Sequence, residues 1–169
     1  MTIFGRTLFV LVVAASASSC LEGSAAAGYT ATFPTKEAAV AAVFDALAAR
    51  DEARLTALPV TEREFKDLVW PALPASRPEV GVPVDYVWAD TSLKGRGSLD
   101  RTLREHGGRR YRVEGVAFDG PAVNYGSFLI HRKTRVTVRD EQGRQAVVRA
   151  FGSMLEADGQ WKVFSFVVD

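Results

Sequence analysis

Asp85 and His131 are the two side chains on predicted strands whose types could together move a proton. Proton transfer needs a base and a partner in one pocket. Asp85 lies in the aromatic and β-branched segment 84–89, where burial would make a carboxylate a usable base; the alternatives are a rim position or an ion pair with an arginine. His131 shares a predicted strand face with Lys133 and Arg135, which predicts that it faces water. The sequence therefore predicts that the two do not form a catalytic pair.

Further side chains could contact a ligand. Arg149 lies on an apolar strand face, where it could bind a carboxylate or a phosphate, or else extend to solvent from the edge. Tyr86, Trp88 and Tyr125 could line a cavity for an apolar ligand or belong to the core. His106 ends a predicted helix, where its cation would lie near the negative end of the helix dipole.

Motifs of other chemistries are absent from the sequence. It has 2 histidines and 1 cysteine, and it contains no His/Cys cluster with metal-ligand spacing, no glycine-rich phosphate loop and no nucleophile elbow. The 21 lysines and arginines are balanced by 20 aspartates and glutamates, which does not favour a nucleic-acid-binding face. We expect no metal, no cofactor and no nucleic-acid partner.

The first twenty residues have the pattern of an export signal. Arg6 precedes the apolar run 8–15, and small residues follow. The run is shorter than the roughly 20 apolar residues that span a bilayer. Residues 17–20 resemble the lipobox of bacterial lipoproteins, whose cysteine, here Cys20, receives the lipid. The alternative, ordinary cleavage after Ala17, would leave an unpaired thiol in an oxidising compartment.

This leader predicts the organisation of the whole chain. Residues 1–19 would be the signal peptide, 20–32 the lipidated cysteine with a flexible tether, and 33–169 one domain. The protein would be exported and lipid-anchored to the cell membrane or the outer membrane, with the domain facing the periplasm or the exterior. With a single cysteine, the fold must depend on its core rather than on a disulfide.

Helices come first in the domain and strands follow. Thr35 and Asp51 are predicted to cap two helices, and Thr61 and Glu64 form a capping-box pattern for a third. Another helix is predicted at 98–106. Strands are predicted in five segments, which are 84–89, 111–118, 125–139, 146–156 and 161–168. An Asp-Gly pair at 158–159 predicts a hairpin turn. This order indicates an α+β fold, with N-terminal helices packed on an antiparallel sheet.

The last predicted strand is apolar on both faces. Trp161 and Val163 lie on one face, and Phe164 and Phe166 on the other. A sheet that is covered on one side only should carry a polar second face. We therefore expect the second face to meet another copy of the chain, a curled part of the same sheet, or a partner.

The element order, together with the terminal pattern D-G-x-W-K-V at 158–163, resembles the nuclear transport factor 2-like superfamily, including its SnoaL-like domains. The resemblance covers residues 33–169. It implies a cone-shaped domain, in which a strongly curved antiparallel sheet wraps a helix and leaves an internal pocket, and it implies pairing of two domains through the sheet. Some members are isomerases, dehydratases or cyclases that use an Asp–His pair, and many are non-catalytic binding modules.

Three functions follow from these observations. The favoured one is an exported lipoprotein whose non-catalytic domain binds a small apolar ligand or a protein partner at the membrane surface. The second is a SnoaL-like isomerase or dehydratase that moves a proton with Asp85 and His131. The third is a structural subunit of an envelope complex, recruited through the sheet.

Overall fold

A computed structural model describes residues 28–168, so the predicted signal peptide and Cys20 lie outside the described residues. Four α-helices lie within this range: α1 (Lys36–Ala49), α2 (Glu52–Ala57), α3 (Glu62–Glu64) and α4 (Val84–His106). Between α3 and α4 the chain forms a π-helical turn, Phe65–Val69, and the 3-10 turns Trp70–Ala72, Pro74–Ser76 and Pro78–Val80. The strands in this range are β1 (Tyr111–Phe118), β2 (Val123–Asn124), β3 (Leu129–His131), β4 (Thr134–Asp140), β5 (Gln145–Val148), β6 (Ser153–Ala157) and β7 (Gln160–Ser165).

The first three helices begin at the predicted caps. The Thr35 hydroxyl accepts a hydrogen bond from the backbone N–H of the third helical residue at 3.1 Å, and the Asp51 carboxylate accepts one from Arg54 N–H at 2.9 Å. Thr61 and Glu64 form the complete capping box. These caps satisfy backbone N–H groups that a helix cannot pair internally, so the start of each helix is determined locally.

The prediction of a strand at 84–89 is wrong, because this segment is the first part of α4. Asp85 lies in the first turn of the helix, where a carboxylate stabilises the positive end of the dipole. Val87 and Trp88 pack against the apolar cluster around Phe65. Strand propensity is a weak preference, and tertiary packing of the helical face outweighs it here.

The strands within residues 28–168 form two antiparallel sheets, with the orders β1-β4-β5 and β2-β3-β6-β7. The predicted α+β class is therefore confirmed, and the predicted strand 111–118 coincides with β1. The predicted strands 125–139 and 146–156 are each interrupted. The first is divided into β3 and β4, and the second into β5 and β6.

Both interruptions occur at the same level of one long hairpin. β4 pairs with β5, β3 pairs with β6, and Thr134 N–H donates to the Gly152 carbonyl at 2.9 Å where the strands change sheets. Lys133 adopts a left-handed conformation with φ of 55°. At Gly152 a Cβ would lie 1.6 Å from the carbonyl oxygen of Val167, so no larger side chain fits.

Both apolar faces of β7 are covered within the chain. Trp161 and Val163 pack in the cluster that contains α1, whereas Phe164 packs in the second cluster, on the side of the π-helical turn and α4. The free edge of β7 is also occupied. Phe33 N–H donates a hydrogen bond to the Trp161 carbonyl at 2.8 Å, and Val60 N–H donates one to the Val163 carbonyl at 3.1 Å. Contacts within the chain thus account for both apolar faces, and pairing of two copies through the sheet stays a prediction.

A buried ion pair joins β7 to α3. The Lys162 and Glu64 side chains are 0% and 4% exposed, and Nζ lies 3.5 Å from Oε2. The other carboxylate oxygen accepts hydrogen bonds from the backbone N–H and the hydroxyl of Thr30, and Lys162 donates to the Thr30 carbonyl. Tyr29 is 5% exposed. Packing therefore begins several residues before Phe33, the predicted start of the domain.

The surroundings of this pair shift both pKa values. Burial alone would raise the pKa of Glu64, but backbone hydrogen bonds from Thr30 and Thr61 and the charge of Lys162 outweigh burial and hold that pKa below its usual value. Burial lowers the pKa of Lys162, and the negative charge of Glu64 opposes this effect. The carboxylate is ionised at neutral pH and depends on the ammonium group for compensation.

Replacing Lys162 with methionine is expected to lower the free energy of unfolding by about 3–5 kcal/mol, because it leaves the ionised Glu64 buried without its cation. Chemical denaturation measures this loss. Lys66→Met is the matched control: Lys66 pairs with Glu62 and Asp85 at the surface, and exposed pairs contribute about 0–1 kcal/mol. Equal losses in the two variants would contradict the assignment of a structural role to the buried pair.

Candidate functional site

Two adjoining cavities separate α4 from the end of β7. Their volumes are about 230 Å³ and about 370 Å³. Both are lined by Thr91 of α4 and by Phe164 and Ser165 of β7, so they lie side by side along the helix. We call this pair of cavities the α4 groove.

The first cavity of the α4 groove, the smaller one, is largely apolar. Its apolar walls are Pro59, Val60, Trp88, Leu99, Phe164 and Phe166. Among its described lining residues, Arg96 is the one ionisable side chain. The Ser92 hydroxyl oxygen is buried and has no hydrogen-bond partner within residues 28–168.

The second cavity is more polar. Leu73, Tyr125 and Ile130 contribute apolar surface. Asp90 and Lys94, one turn apart on α4, form an ion pair of 2.7 Å at this cavity, so their charges compensate each other. Arg132 also lines this cavity, so it contains three charged side chains, whereas the first cavity combines an apolar body with the single charge of Arg96.

One face of α4 forms a wall of the first cavity. Trp88, Ser92, Gly95 and Leu99 recur at i, i+4, i+7 and i+11, which places them on the side of the helix that faces the sheet. A Cβ added at Gly95 would meet nothing within 4 Å. The missing side chain at Gly95 thus keeps part of the first cavity open.

The predicted ligand-contact residues divide into two groups. Trp88 lines the first cavity and Tyr125 lines the second. Tyr86 lies outside the groove, and its side chain is 70% exposed. Arg149 is exposed and forms an ion pair of 3.0 Å with Asp119, so its position corresponds to the solvent-facing alternative.

The structure does not bring Asp85 and His131 together. Asp85 is 79% exposed and pairs with Lys66, whereas His131 Nε2 lies 2.8 Å from a carboxylate oxygen of Glu156. Ile130 packs in the same cluster as the first turns of α4, and His131, the next residue of β3, faces the opposite side of the sheet. Neither Asp85 nor His131 lines the α4 groove.

The prediction that His131 faces water is wrong. Its side chain is 15% exposed, and its ring centroid lies 4.8 Å from that of Phe118 and 4.7 Å from that of Trp161. The basic face on which the prediction depended does not exist, because the strand is interrupted after His131. Lys133 lies in the interruption, and Arg135 belongs to the other sheet.

His106 also differs from its prediction. It is the last residue of α4, and its Nδ1 lies 3.1 Å from the hydroxyl of Tyr111. Burial lowers the pKa of His106; the charge of Glu105 raises it and that of Arg109 lowers it further. The neutral form is favoured at pH 7, so His106 does not supply the predicted cation at the helix end.

The sequence prediction missed Ser92, Gly95, Arg96 and Phe164 as site residues. No element is predicted for 90–97, which lies between the predicted strand 84–89 and the predicted helix 98–106. The signal was present in the helical spacing from Trp88 onward, where a large aromatic residue is followed by small residues on the same face. Phe164 carried no signal, because an aromatic residue on a strand is ordinarily core.

Comparison with known proteins found no match to a protein family, to a curated protein or to a solved structure. Within residues 28–168, no helix has the length and apolar character needed to cross a membrane. The same residues contain no group of three or more His, Cys, Asp or Glu side chains that could hold a metal ion.

Replacing His131 with alanine is expected to destabilise the domain by about 1–3 kcal/mol, because the ring contacts with Phe118 and Trp161 and the hydrogen bond to Glu156 are lost together. Chemical denaturation of His131→Ala measures the loss. Lys133→Ala is the control, since Lys133 is exposed and already carries a Cβ at positive φ. A change within about 0.5 kcal/mol for His131→Ala, typical of surface positions, would contradict the structural role.

Proposed function

We propose that this chain is an exported lipoprotein, anchored through Cys20, whose domain binds a small and largely apolar ligand without transforming it. The observation that carries the proposal is the α4 groove, with its apolar walls and its buried, unpartnered Ser92 hydroxyl. Ligand sites are typically concave and mostly apolar, with a few polar groups that fix orientation, and they occupy about 300–1,000 Å³. The two adjoining cavities together fall in this range.

Binding is favoured over catalysis by the chemistry of the lining. The charged side chains among the described lining residues are Arg96 in the first cavity and Asp90, Lys94 and Arg132 in the second. The carboxylate of Asp90 is already paired with Lys94. A proton-transfer site needs a free base beside its partner, and the alternative pair of Asp85 and His131 lies on opposite sides of the sheet.

We also propose that the domain has the cone-shaped fold of the nuclear transport factor 2-like superfamily. Three features support it: helices precede an antiparallel hairpin region, one long hairpin bends at the level of Thr134 and Gly152, and a helix covers a cavity on the sheet. In this description the α4 groove corresponds to the internal pocket of the cone.

A lipid on Cys20 would keep the groove close to a membrane. Tyr29 is buried in the domain, and the segment between Cys20 and Gly28 spans at most about 29 Å when fully extended. Apolar molecules concentrate at membranes, so a short tether would place the groove where such ligands are available. This location favours a ligand carrier or sensor of the cell envelope.

Lipidation is tested by substituting Cys20 with serine. We expect the wild-type protein to be found in the membrane fraction and its intact mass to show acyl chains on an N-terminal cysteine, whereas Cys20→Ser is released or remains uncleaved. Ser18→Ala is the control, because a second small residue preserves the lipobox pattern. A mature protein that begins at Ser18 without added lipid would contradict the anchor.

Ligand binding is tested by filling the first cavity. We expect Gly95→Leu to weaken binding of the neutral fluorescent probe N-phenyl-1-naphthylamine by at least about tenfold, which corresponds to about 1.4 kcal/mol. The measurement uses the released form of the protein carrying Cys20→Ser, which has no lipid and needs no detergent.

Gly97→Leu is the matched control for Gly95→Leu. It lies on the same helix, a Cβ there also meets nothing within 4 Å, and it does not line the groove. Each substitution removes a helix glycine and should therefore gain about 1 kcal/mol of helix stability, so neither variant should melt below the parent. Probe binding that is equal in all three proteins, or absent from the parent, would contradict the proposed function.

A further inference from the structure

We propose that the first cavity of the α4 groove binds a medium-chain monocarboxylate, with the carboxylate on Arg96 and Ser92 and the apolar chain inside. This inference rests on the proposed function and adds the chemical class of the ligand. It depends on the charge of the lining, on one buried hydroxyl and on the size of the cavity.

The charge of the cavity selects for an anion. Arg96 is the one ionisable side chain among the described lining residues, and no Asp, Glu or His of the described chain accompanies it there. Arg96 has no ion-pair partner within residues 28–168, and the residue is exposed to solvent. A guanidinium group binds a carboxylate through two parallel hydrogen bonds. A ligand with a cationic end would be repelled, and a neutral one would leave Arg96 unpaired.

The second observation is the unpartnered hydroxyl of Ser92. Its oxygen is buried and lacks a hydrogen-bond partner within residues 28–168. Buried polar groups without a partner are uncommon because each one costs stability. Ser92 and Arg96 are four residues apart on α4 and therefore neighbours on the helix surface. Rotation of Ser92 about χ1 would turn this buried oxygen into the cavity that the residue lines, where one carboxylate can accept hydrogen bonds from both side chains.

The remaining walls define the rest of the ligand. Trp88, Leu99, Phe164 and Phe166 present apolar surface, so the part of the ligand that enters the cavity has no polar groups to satisfy. A volume of about 230 Å³ lies below the range of drug-sized sites, which favours a medium-length chain. A single guanidinium group compensates one negative charge, which favours a monocarboxylate over a dianionic phosphate ester.

The experiment compares octanoate with octan-1-ol, two probes of equal chain length. Each compound is added at pH 7.5 to the Cys20→Ser protein with bound N-phenyl-1-naphthylamine, and the loss of probe fluorescence measures competition. We expect octanoate to compete at a concentration about 5- to 20-fold lower than octan-1-ol, the range for a hydrogen bond to a charged group that is partly solvated.

Variants at the two polar positions identify the origin of this preference. Arg96→Gln should abolish the preference for octanoate and leave competition by octan-1-ol unchanged. Ser92→Ala should weaken the binding of octanoate by about 2- to 5-fold. It should not lower the melting temperature, because the hydroxyl has no partner to lose in the free protein. Arg101→Gln is the matched control: Arg101 is exposed on the same helix and does not line the groove, so its variant should keep the preference.

The outcomes separate the inference from the proposed function. Equal competition by octanoate and octan-1-ol in the parent protein would overturn the carboxylate assignment and leave ligand binding in place. If Arg96→Gln and Arg101→Gln lose the preference for octanoate equally, the preference reflects a general attraction of anions and the carboxylate assignment is overturned. Stronger competition by octyl phosphate than by octanoate would also overturn this assignment. A parent protein that does not bind the fluorescent probe would instead contradict the proposed function.

Discussion

The ammonium group of Lys162 lies inside the domain. It joins three segments of the chain, which are β7, α3 and the segment around Thr30. Each buried charge costs several kcal/mol relative to water, and attraction between the charges compensates only when the remaining polar atoms are satisfied. Glu64 meets this condition through Thr30 and Thr61, and Lys162 through Glu64 and the Thr30 carbonyl. Sliding β7 by one residue would point Lys162 to the other face of the sheet. The pair therefore specifies the register of β7 against α3.

The same pair determines where the groove lies. Glu64 closes the capping box on Thr61, and both Thr61 and the preceding Val60 line the first cavity. Val60 is also hydrogen-bonded to Val163 on the edge of β7. One wall of the cavity is thus fixed by backbone hydrogen bonds next to a buried ion pair. The opposite wall, α4, buries only Ser98, Leu99 and Thr102 along its described length. The site combines a rigid wall with a weakly packed helix, and a ligand would add apolar contacts between them.

Local features could be predicted from the sequence, and features created by tertiary contacts could not. The caps at Thr35, Asp51 and Thr61 involve residues three positions apart, and the hairpin turn at 158–159 needs only two residues with positive φ, which Asp158 and Gly159 provide. The interruptions of the long hairpin are different. They depend on contacts between segments distant in sequence, such as the hydrogen bond from Thr134 N–H to the Gly152 carbonyl. The prediction that His131 faces water is wrong for this reason, because it assumed one continuous strand over 125–139.

The site shows the same division. Trp88 and Tyr125 could be identified by residue type, but Ser92, Gly95 and Arg96 acquire meaning only once α4 is known to be a helix. Seen on that helix, two of them oppose stability: a glycine inside a helix costs about 1 kcal/mol relative to alanine, and a buried hydroxyl without a partner carries a desolvation penalty. Both unfavourable residues lie on one face and line one cavity. Departures from local consistency concentrate at functional sites. A larger apolar residue at Gly95 would fill the cavity and strengthen the helix, so the sequence keeps open a space that stability alone would close.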